Sequence, residues 1–290
     1  MNVLSLFDGM SCGQIALERS GLKVDNYFAS EIDKYAIQVC LNNFPGTKQL
    51  GNVVDVDLKT LPNIDLLIGG SPCQDISNMN QFKLGLGGEK SGLFYQYWRM
   101  WQEIKNKNPK ALFLLENVAG DKGAVATITK ILGVRPMKFN SCWVSAQKRP
   151  RLYWTNIPVN SIPQKKHLSL NSILENMVDD RYYQSPGWIK WFDKKREFLL
   201  NKQYCTLNPE KAICLTRRMY ANWSGNFIQD EKGIRRLTPV ECERLQTVPD
   251  GFTSCVDDRF RYEMLGNGWT VDIIAHILSH LPKETKLKPQ

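Results

Sequence analysis

At 290 residues, with 42% hydrophobic and 23% charged residues, the chain has the composition of an ordinary globular protein and room for one α/β domain plus a smaller lobe. No stretch is long and apolar enough to span a membrane as a helix, and eight scattered cysteines without a Cys-x-x-Cys pair argue against a zinc site or a disulfide framework. The net charge of +9 is uneven: between Arg135 and Val240 there are 19 Lys+Arg against 8 Asp+Glu, which fits either a solvated basic face or a polyanionic partner such as nucleic acid.

The N-terminus has no basic n-region and enters a strand pattern at once, so no signal peptide is expected and a reducing cytoplasm fits the cysteines. Residues 2–7 read as a strand, Asp8–Gly13 as a glycine-containing turn, and Gln14–Ser20 as a helix closed by Gly21. Such a turn can present backbone N–H groups to a nucleotide-like ligand, although it is not G-x-G-x-x-G. A second strand at 24–29 leads to Glu31, an acidic residue placed either to accept ribose hydroxyls or simply to start a helix. Asp33–Asn43 reads as an amphipathic helix stopped near Pro45-Gly46, followed by a short strand at 49–53.

The run from Ile64 to Ser77 is the centre of the chain. Its front is apolar enough for a buried parallel strand, Gly69-Gly70 ends it, and Ser71-Pro72-Cys73 forms a loop beyond its carboxyl end. Ligands and reacting groups gather at that rim of an open α/β sheet. Pro72 restricts both itself and Ser71, holding the Cys73 thiol in one place; a buried structural cysteine is the plainer alternative. The glycine-punctuated stretch 78–91 reads as a loop able to close over the thiol. Leu93–Lys105 is helical, and Ala111–Glu116 a strand that carries Glu116 to the same rim as Cys73. A helix near 122–132 precedes strands at 137–144 and 151–155, joined by Ser145–Pro150, so the expected fold is α/β: a doubly wound, mostly parallel sheet with a hairpin at one edge.

From Pro158 to Gly233 prolines interrupt the pattern, and basic clusters lie among Tyr182, Tyr183, Trp188, Trp191 and Phe192. This stretch is expected to form a small separate lobe. Thr238-Pro-Val-Glu241 reads as a capping box opening a helix. The apolar face of Trp269–Leu281 is expected to return residues 234–282 to the first domain, 1–157, leaving a tail with no ordered structure after Pro282.

With these pieces in order, the sequence resembles the DNA cytosine-5 methyltransferases over nearly its whole length. Leu6–Gly13, Ser30–Asp33 and Gly51–Val53 are similar to their first three motifs, and Gly70-Ser-Pro-Cys-Gln74 to the nucleophile motif. Glu116-Asn-Val118, Gln147-Lys-Arg-Pro-Arg151, Arg236–Leu245 and Leu265–Trp269 resemble the later ones. Phe-Asp-Gly in the first turn, Gly-Gly-Ser-Pro-Cys and Trp269 look most like the catalytic domains of animal de novo methyltransferases. Their long regulatory domains are not seen here, so a phage or bacterial modification enzyme in the host cytoplasm is expected. The family usually has Asp where Asn52 stands, and often Ser where Gly268 stands.

The resemblance implies a class I S-adenosylmethionine-dependent methyltransferase fold with a target-recognition lobe at 158–233. It implies transfer of a methyl group from S-adenosylmethionine to C5 of a cytosine flipped out of double-stranded DNA. Cys73 would be the nucleophile, Glu116 would hold the ring nitrogen N3, and Arg151 with Arg149 would bind O2. Cofactor contacts would come from Phe7, Asp8, Gly9, Met10, Cys12, Gly13, Glu31, Ile32, Asn52, Val53, Ser71, Pro72, Leu93, Asn267, Gly268 and Trp269. Ser77, Lys83, Arg217 and Arg218 would touch DNA, no metal is expected, and a companion restriction endonuclease would fit a modification enzyme. Three other readings stay open at this point: the same reaction on tRNA, a catalytically silent DNA-binding partner, and a nicotinamide-dependent enzyme.

Overall fold

The computed structural model describes residues 1–71, 92–120, 122–221 and 224–282. Its first elements are β1 (Asn2–Leu6), α1 (Cys12–Arg19), β2 (Asn26–Ser30), α2 (Lys34–Asn43), β3 (Lys48–Gln49) and β4 (Leu66–Gly69). Then come α3 (Gly92–Lys107), β5 (Leu112–Val118), α4 (Lys122–Leu132), β6 (Met137–Asn140) and β7 (Pro150–Thr155). The chain continues through α5 (Pro186–Asn201), β8 (Cys205–Leu207), β9 (Gly225–Asp230) and β10 (Gly233–Arg236) to α6 (Pro239–Leu245), α7 (Asp258–Asn267) and α8 (Val271–Leu278). Among the described residues no helix is long and apolar enough to cross a membrane.

Seven strands form one sheet in the order β3-β2-β1-β4-β5-β7-β6. Pairing is parallel from β3 to β5, and β7 runs antiparallel to β5. The doubly wound expectation holds, with the antiparallel strand at the edge side. The chain steps outward from β1 to β3 and then returns to the other flank of β1 with β4. The carboxyl ends of β1 and β4 therefore meet at a topological switch point, where such sheets bind ligands.

Packing follows from the sequence period. In α3, Phe94, Tyr97, Trp101 and Ile104 recur at helical spacing, so all four fall on one face and are buried. They join Leu4, Leu67, Phe113 and Trp154 in the main core, with the Trp101 and Phe113 ring centroids 4.6 Å apart. Burial of each such side chain contributes about 1.5–3 kcal/mol. The core sits under the strands whose ends carry the site.

Two strands are shorter than their apolar patterns predict. β6 stops at Asn140, whose side-chain oxygen accepts the Cys142 and Arg149 backbone N–H groups and caps a 3₁₀ turn over Ser141–Trp143. β3 stops before Gly51, whose φ of +72° turns the chain out of the ladder.

Of the described residues, 1–139, 150–162 and 273 onward form one compact unit, and 140–149 with 163–272 form a second. Ser20 donates its hydroxyl to the Ala275 carbonyl at 3.0 Å, tying α8 to α1 in the first unit. The second unit contains α6 and α7 as well as the proline-interrupted stretch. Its antiparallel pair β10-β9, extended by a parallel β8, packs on α5. The aromatic run seen in the sequence supplies this small core: Trp188 stacks on Phe192 at 4.9 Å and both meet Phe227. Buried Arg235 donates twice to buried Glu241, joining β10 to α6.

Candidate active site

Residues Cys73, Pro72, Ser77 and Lys83, and the expected closing loop 78–91, lie outside the described residues. β4 ends at Gly69, where a Cβ would press on the Leu6 carbonyl and the Tyr97 ring at 3.0 Å. Ser71 follows, 5% exposed. Asn117 on β5 donates its side-chain amide to both the Ser71 carbonyl (3.0 Å) and the Ser71 hydroxyl (3.1 Å). The entrance to the Ser-Pro-Cys sequence is thus fixed by the residue next to Glu116. Sequence reasoning used Asn117 only as a motif letter; its position in Glu-Asn-Val was the available signal.

Glu116 and Arg151 are brought together by sheet register. Glu116 pairs with Tyr153 and Val118 with Arg151, which makes Arg151 the diagonal neighbour of Glu116 on one face of the antiparallel pair. Arg151 Nε lies 3.0 Å from Glu116 Oε1, with the two side chains 14% and 12% exposed. A carboxylate and a guanidinium, both mostly out of water, face the rim at the carboxyl end of β5.

The turn after β1 is tightly wound: Phe7, Gly9 and Ser11 have φ of +57°, +58° and +63°. Left-handed backbone at a phenylalanine is costly and points to a functional constraint. A Cβ at Gly9 would meet nothing within 4 Å, while the Gly9 N–H donates to Glu31 Oε2 at 2.8 Å. Glu31 Oε1 accepts the Ile32 and Asp33 N–H groups at 2.7 and 2.9 Å. Three backbone donors therefore orient this carboxylate, and beside it Ile32 is 74% exposed. An oriented carboxylate next to an open apolar side chain suits an adenosine group, with ribose hydroxyls on the former and the ring on the latter.

Asp8 is pushed up to about 6, by burial first and to a smaller extent by the nearby Glu31 charge, against hydrogen bonds from Ser11, Ser5 and Tyr27 that pull it down. The Tyr27 hydroxyl donates to it at 2.6 Å.

Other expected cofactor residues are placed differently. Met10 and Cys12 are 1% and 4% exposed within the core, and a Cβ on Gly13 would stand 2.5 Å from Ile68 Cδ1. The absence of a side chain at Gly13 lets α1 approach the sheet. Asn52 caps a 3₁₀ turn through its side-chain oxygen, which accepts from Val54 N–H at 3.2 Å, and Val53 is core. Phe7 and Leu93 are partly buried against the main core.

In the second unit Gln147 and Arg149 are buried and grip one residue from both sides. Leu215 donates its N–H to Gln147 Oε1 at 2.9 Å, and its carbonyl accepts from Arg149 Nη1 at 3.0 Å. Arg149 Nη2 donates to the Gly266 and Gly268 carbonyls at 3.0 and 2.8 Å. Both arginines were expected to bind the cytosine O2; in the structure Arg151 meets Glu116, whereas the Arg149 guanidinium donates to backbone carbonyls and to Cys214 Sγ at 3.1 Å. Asn267 is exposed, and Gly268 and Trp269 are half-buried.

Arg217 and Arg218 also differ from each other. Arg217 donates twice to Glu263, which also accepts from Arg259 and the Tyr220 hydroxyl. Burial opposes ionisation of Glu263, but these bonds outweigh it and hold the carboxyl below its usual range. Arg218 is exposed, and its guanidinium has no hydrogen-bond or ion-pair partner among the described residues.

The family model for C-5 cytosine-specific DNA methylases matches residues 1–130 and 140–283. The type II methyltransferase M1.ScrFI of Lactococcus lactis subsp. cremoris is 32% identical over 95% of this chain and 76% of its own length. M.NlaX of Neisseria lactamica is 28% identical over 96% of this chain and 95% of its own. Among solved structures, the S. pombe Dnmt2 methyltransferase superposes with a TM-score of 0.76 at 17% identity, covering 96% of this chain and 97% of that one; this likeness speaks for the fold, that of the class I S-adenosylmethionine-dependent methyltransferases. The chain belongs to the C-5 cytosine-specific DNA methylase family and is a DNA cytosine-5 methyltransferase, an activity that implies S-adenosylmethionine as methyl donor and DNA as substrate.

Proposed function

We propose that the protein methylates C5 of a cytosine flipped out of double-stranded DNA through a covalent adduct with Cys73. The observation that carries this reading is the Glu116–Arg151 pair beside an Asn117-anchored Ser71, two residues before Cys73. Cytosine C5 is a weak nucleophile, so the Cys73 thiolate adds to C6 and pushes the electron pair toward N3. Glu116, protonated when the base is bound, hands that proton to N3 as charge develops there, and Arg151 beside it donates to O2. When bound, S-adenosylmethionine would supply an electrophilic methyl group to C5, its sulfonium sulfur keeping the electron pair and departing as S-adenosylhomocysteine. A water then removes the C5 proton, the electrons re-form the C5=C6 bond and break the C6–S bond so that Cys73 leaves as thiolate, and N3 returns its proton to Glu116. A stacked base cannot reach these groups, so the base turns out of the helix.

Glu31 would hold the ribose of the cofactor and Ile32 the adenine, with Phe7 to Gly9 nearby in the turn. Asn267–Trp269, Ser71 and Pro72 are carried over from the family motifs. The lobe at 158–233 would read the target, Ser77 and Lys83 would contact DNA, and Arg218 is the better placed of the two arginines to do so. The relatives M1.ScrFI and M.NlaX carry type II names, so a companion restriction endonuclease in a bacterial cytoplasm fits this reading.

Incubation with S-adenosylmethionine and a duplex carrying 5-fluorocytosine tests the chemistry. The C5 fluorine cannot leave as a proton, so a protein–DNA adduct should accumulate and be lost in Cys73→Ser. No adduct under conditions that methylate ordinary duplex refutes the mechanism. Tritiated methyl transfer to tRNA but not DNA refutes the substrate.

A further inference from the structure

In the second unit, the segment Cys214–Arg218 and the turn Gly266–Gly268 are built as one piece. Arg149 is 3% exposed and Gln147 fully buried. A single guanidinium joins Leu215 of the segment to Gly266 and Gly268 of the turn. Gln147 completes the hold on Leu215, and its amide donates to the Leu245 carbonyl at 3.2 Å. Buried Gln246 then donates to the Leu265 and Gly268 carbonyls at 2.7 and 3.2 Å. All of these bonds except the two to the half-buried Gly268 carbonyl are out of water, so separating segment from turn would strand several polar atoms at once.

Steric fit points the same way. A Cβ on Gly266 would overlap the Thr216–Arg217 peptide, so the segment lies directly on the helix end with no side chain between them. Three residues earlier on α7, Glu263 takes hold of Arg217. Two separate attachments, one buried and one at the surface, leave Arg218 as the guanidinium of this segment with no partner among the described residues.

We propose that Arg149 is a positioning residue that locks the Arg218-bearing segment to the Gly266–Gly268 turn, so that the cofactor met by that turn and the DNA read by that segment bind cooperatively. This rests on the proposed assignment of Asn267–Trp269 to the cofactor and of Arg218 to DNA. Ligand ordering of the turn is passed through the Arg149 guanidinium to the segment, and by linkage the effect is reciprocal.

The test is equilibrium binding of a fluorescent duplex carrying the methylated site, with and without S-adenosylhomocysteine, alongside thermal melts. Wild-type protein should bind the duplex at least about fivefold more tightly with S-adenosylhomocysteine present, and the duplex should raise S-adenosylhomocysteine affinity by the same factor. Arg149→Lys keeps a buried cation but not the planar fork that reaches Leu215, Gly266 and Gly268 together. Its ratio should fall toward one while each ligand still binds alone. Gly266→Ala wedges the segment off the helix without touching the charge and should act likewise. A wild-type ratio of one overturns the proposal whatever the variants do. So does a folded variant that keeps the wild-type ratio. Failure of wild-type protein to bind S-adenosylhomocysteine or to methylate DNA would instead remove the functional reading beneath it.

Discussion

Replacing Glu31 by alanine removes a carboxylate already oriented by three backbone N–H groups. A lost charge-assisted hydrogen bond costs about 1.5–3 kcal/mol, so S-adenosylmethionine affinity should fall roughly ten- to a hundredfold by calorimetry. Unchanged affinity would remove Glu31 from the cofactor site. Asp8 makes the same turn sensitive to pH. Its carboxyl is raised from 3.8 to about 6 in the folded protein, so its contribution to stability is full below about pH 4 and disappears as pH rises through 6. That difference amounts to about 3 kcal/mol. A cationic cofactor should favour the ionised form, so affinity should climb between pH 5 and 7 in wild type and flatten in Asp8→Asn. The two neighbouring arginines should separate in bisulfite sequencing. Arg218→Ala should relax the methylated sequence at one base pair, a loss of about 1–3 kcal/mol of discrimination. Arg217→Ala, whose guanidinium already belongs to Glu263, should lower yield and leave the pattern intact.

α1 lies close to the sheet because Gly13 has no side chain. In Gly13→Ala the added carbon would stand 2.5 Å from Ile68 Cδ1 and 2.8 Å from the Tyr27 hydroxyl, and overpacking of this kind costs about 1–3 kcal/mol. The midpoint of urea unfolding should drop accordingly, and cofactor affinity should drop with it because Tyr27 also holds Asp8. The opening of α6 was fully legible in Thr238-Pro-Val-Glu241. Thr238 Oγ1 accepts the Glu241 N–H at 3.1 Å and Glu241 Oε2 accepts the Thr238 N–H at 2.9 Å. β6 was legible as a strand but not in its length, since its end is set by Asn140 capturing an N–H nine residues away. α5 and α7 were not anticipated. Prolines mask the pattern around the former, and buried charges such as Arg261, paired with Glu243, blur the apolar face of the latter.

Across the whole molecule the excess positive charge lies between Arg135 and Val240, and Lys194, Lys195 and Arg196 are exposed on α5. Neutralising all three should reduce the salt dependence of DNA binding by up to about 0.9 in log–log slope for each that meets a phosphate; an unchanged slope would place α5 away from DNA. The sequence alone determined the strand and helix order of residues 1–157, the rim on which Glu116 lies, and the motif order that identifies the family. These follow from local periodicity, turn residues and caps, all of which act over a few residues. Only the tertiary structure decided which groups each arginine meets. Arg149 and Arg151 are one residue apart around Pro150, yet Arg149 is bound by carbonyls up to 119 residues away while Arg151 pairs with Glu116 across a strand register. Arg217 is held by a glutamate 46 residues downstream and Arg218 by none of the described residues. No local pattern encodes such partners, because a guanidinium's role is set by the acceptors that folding brings within about 3 Å of it.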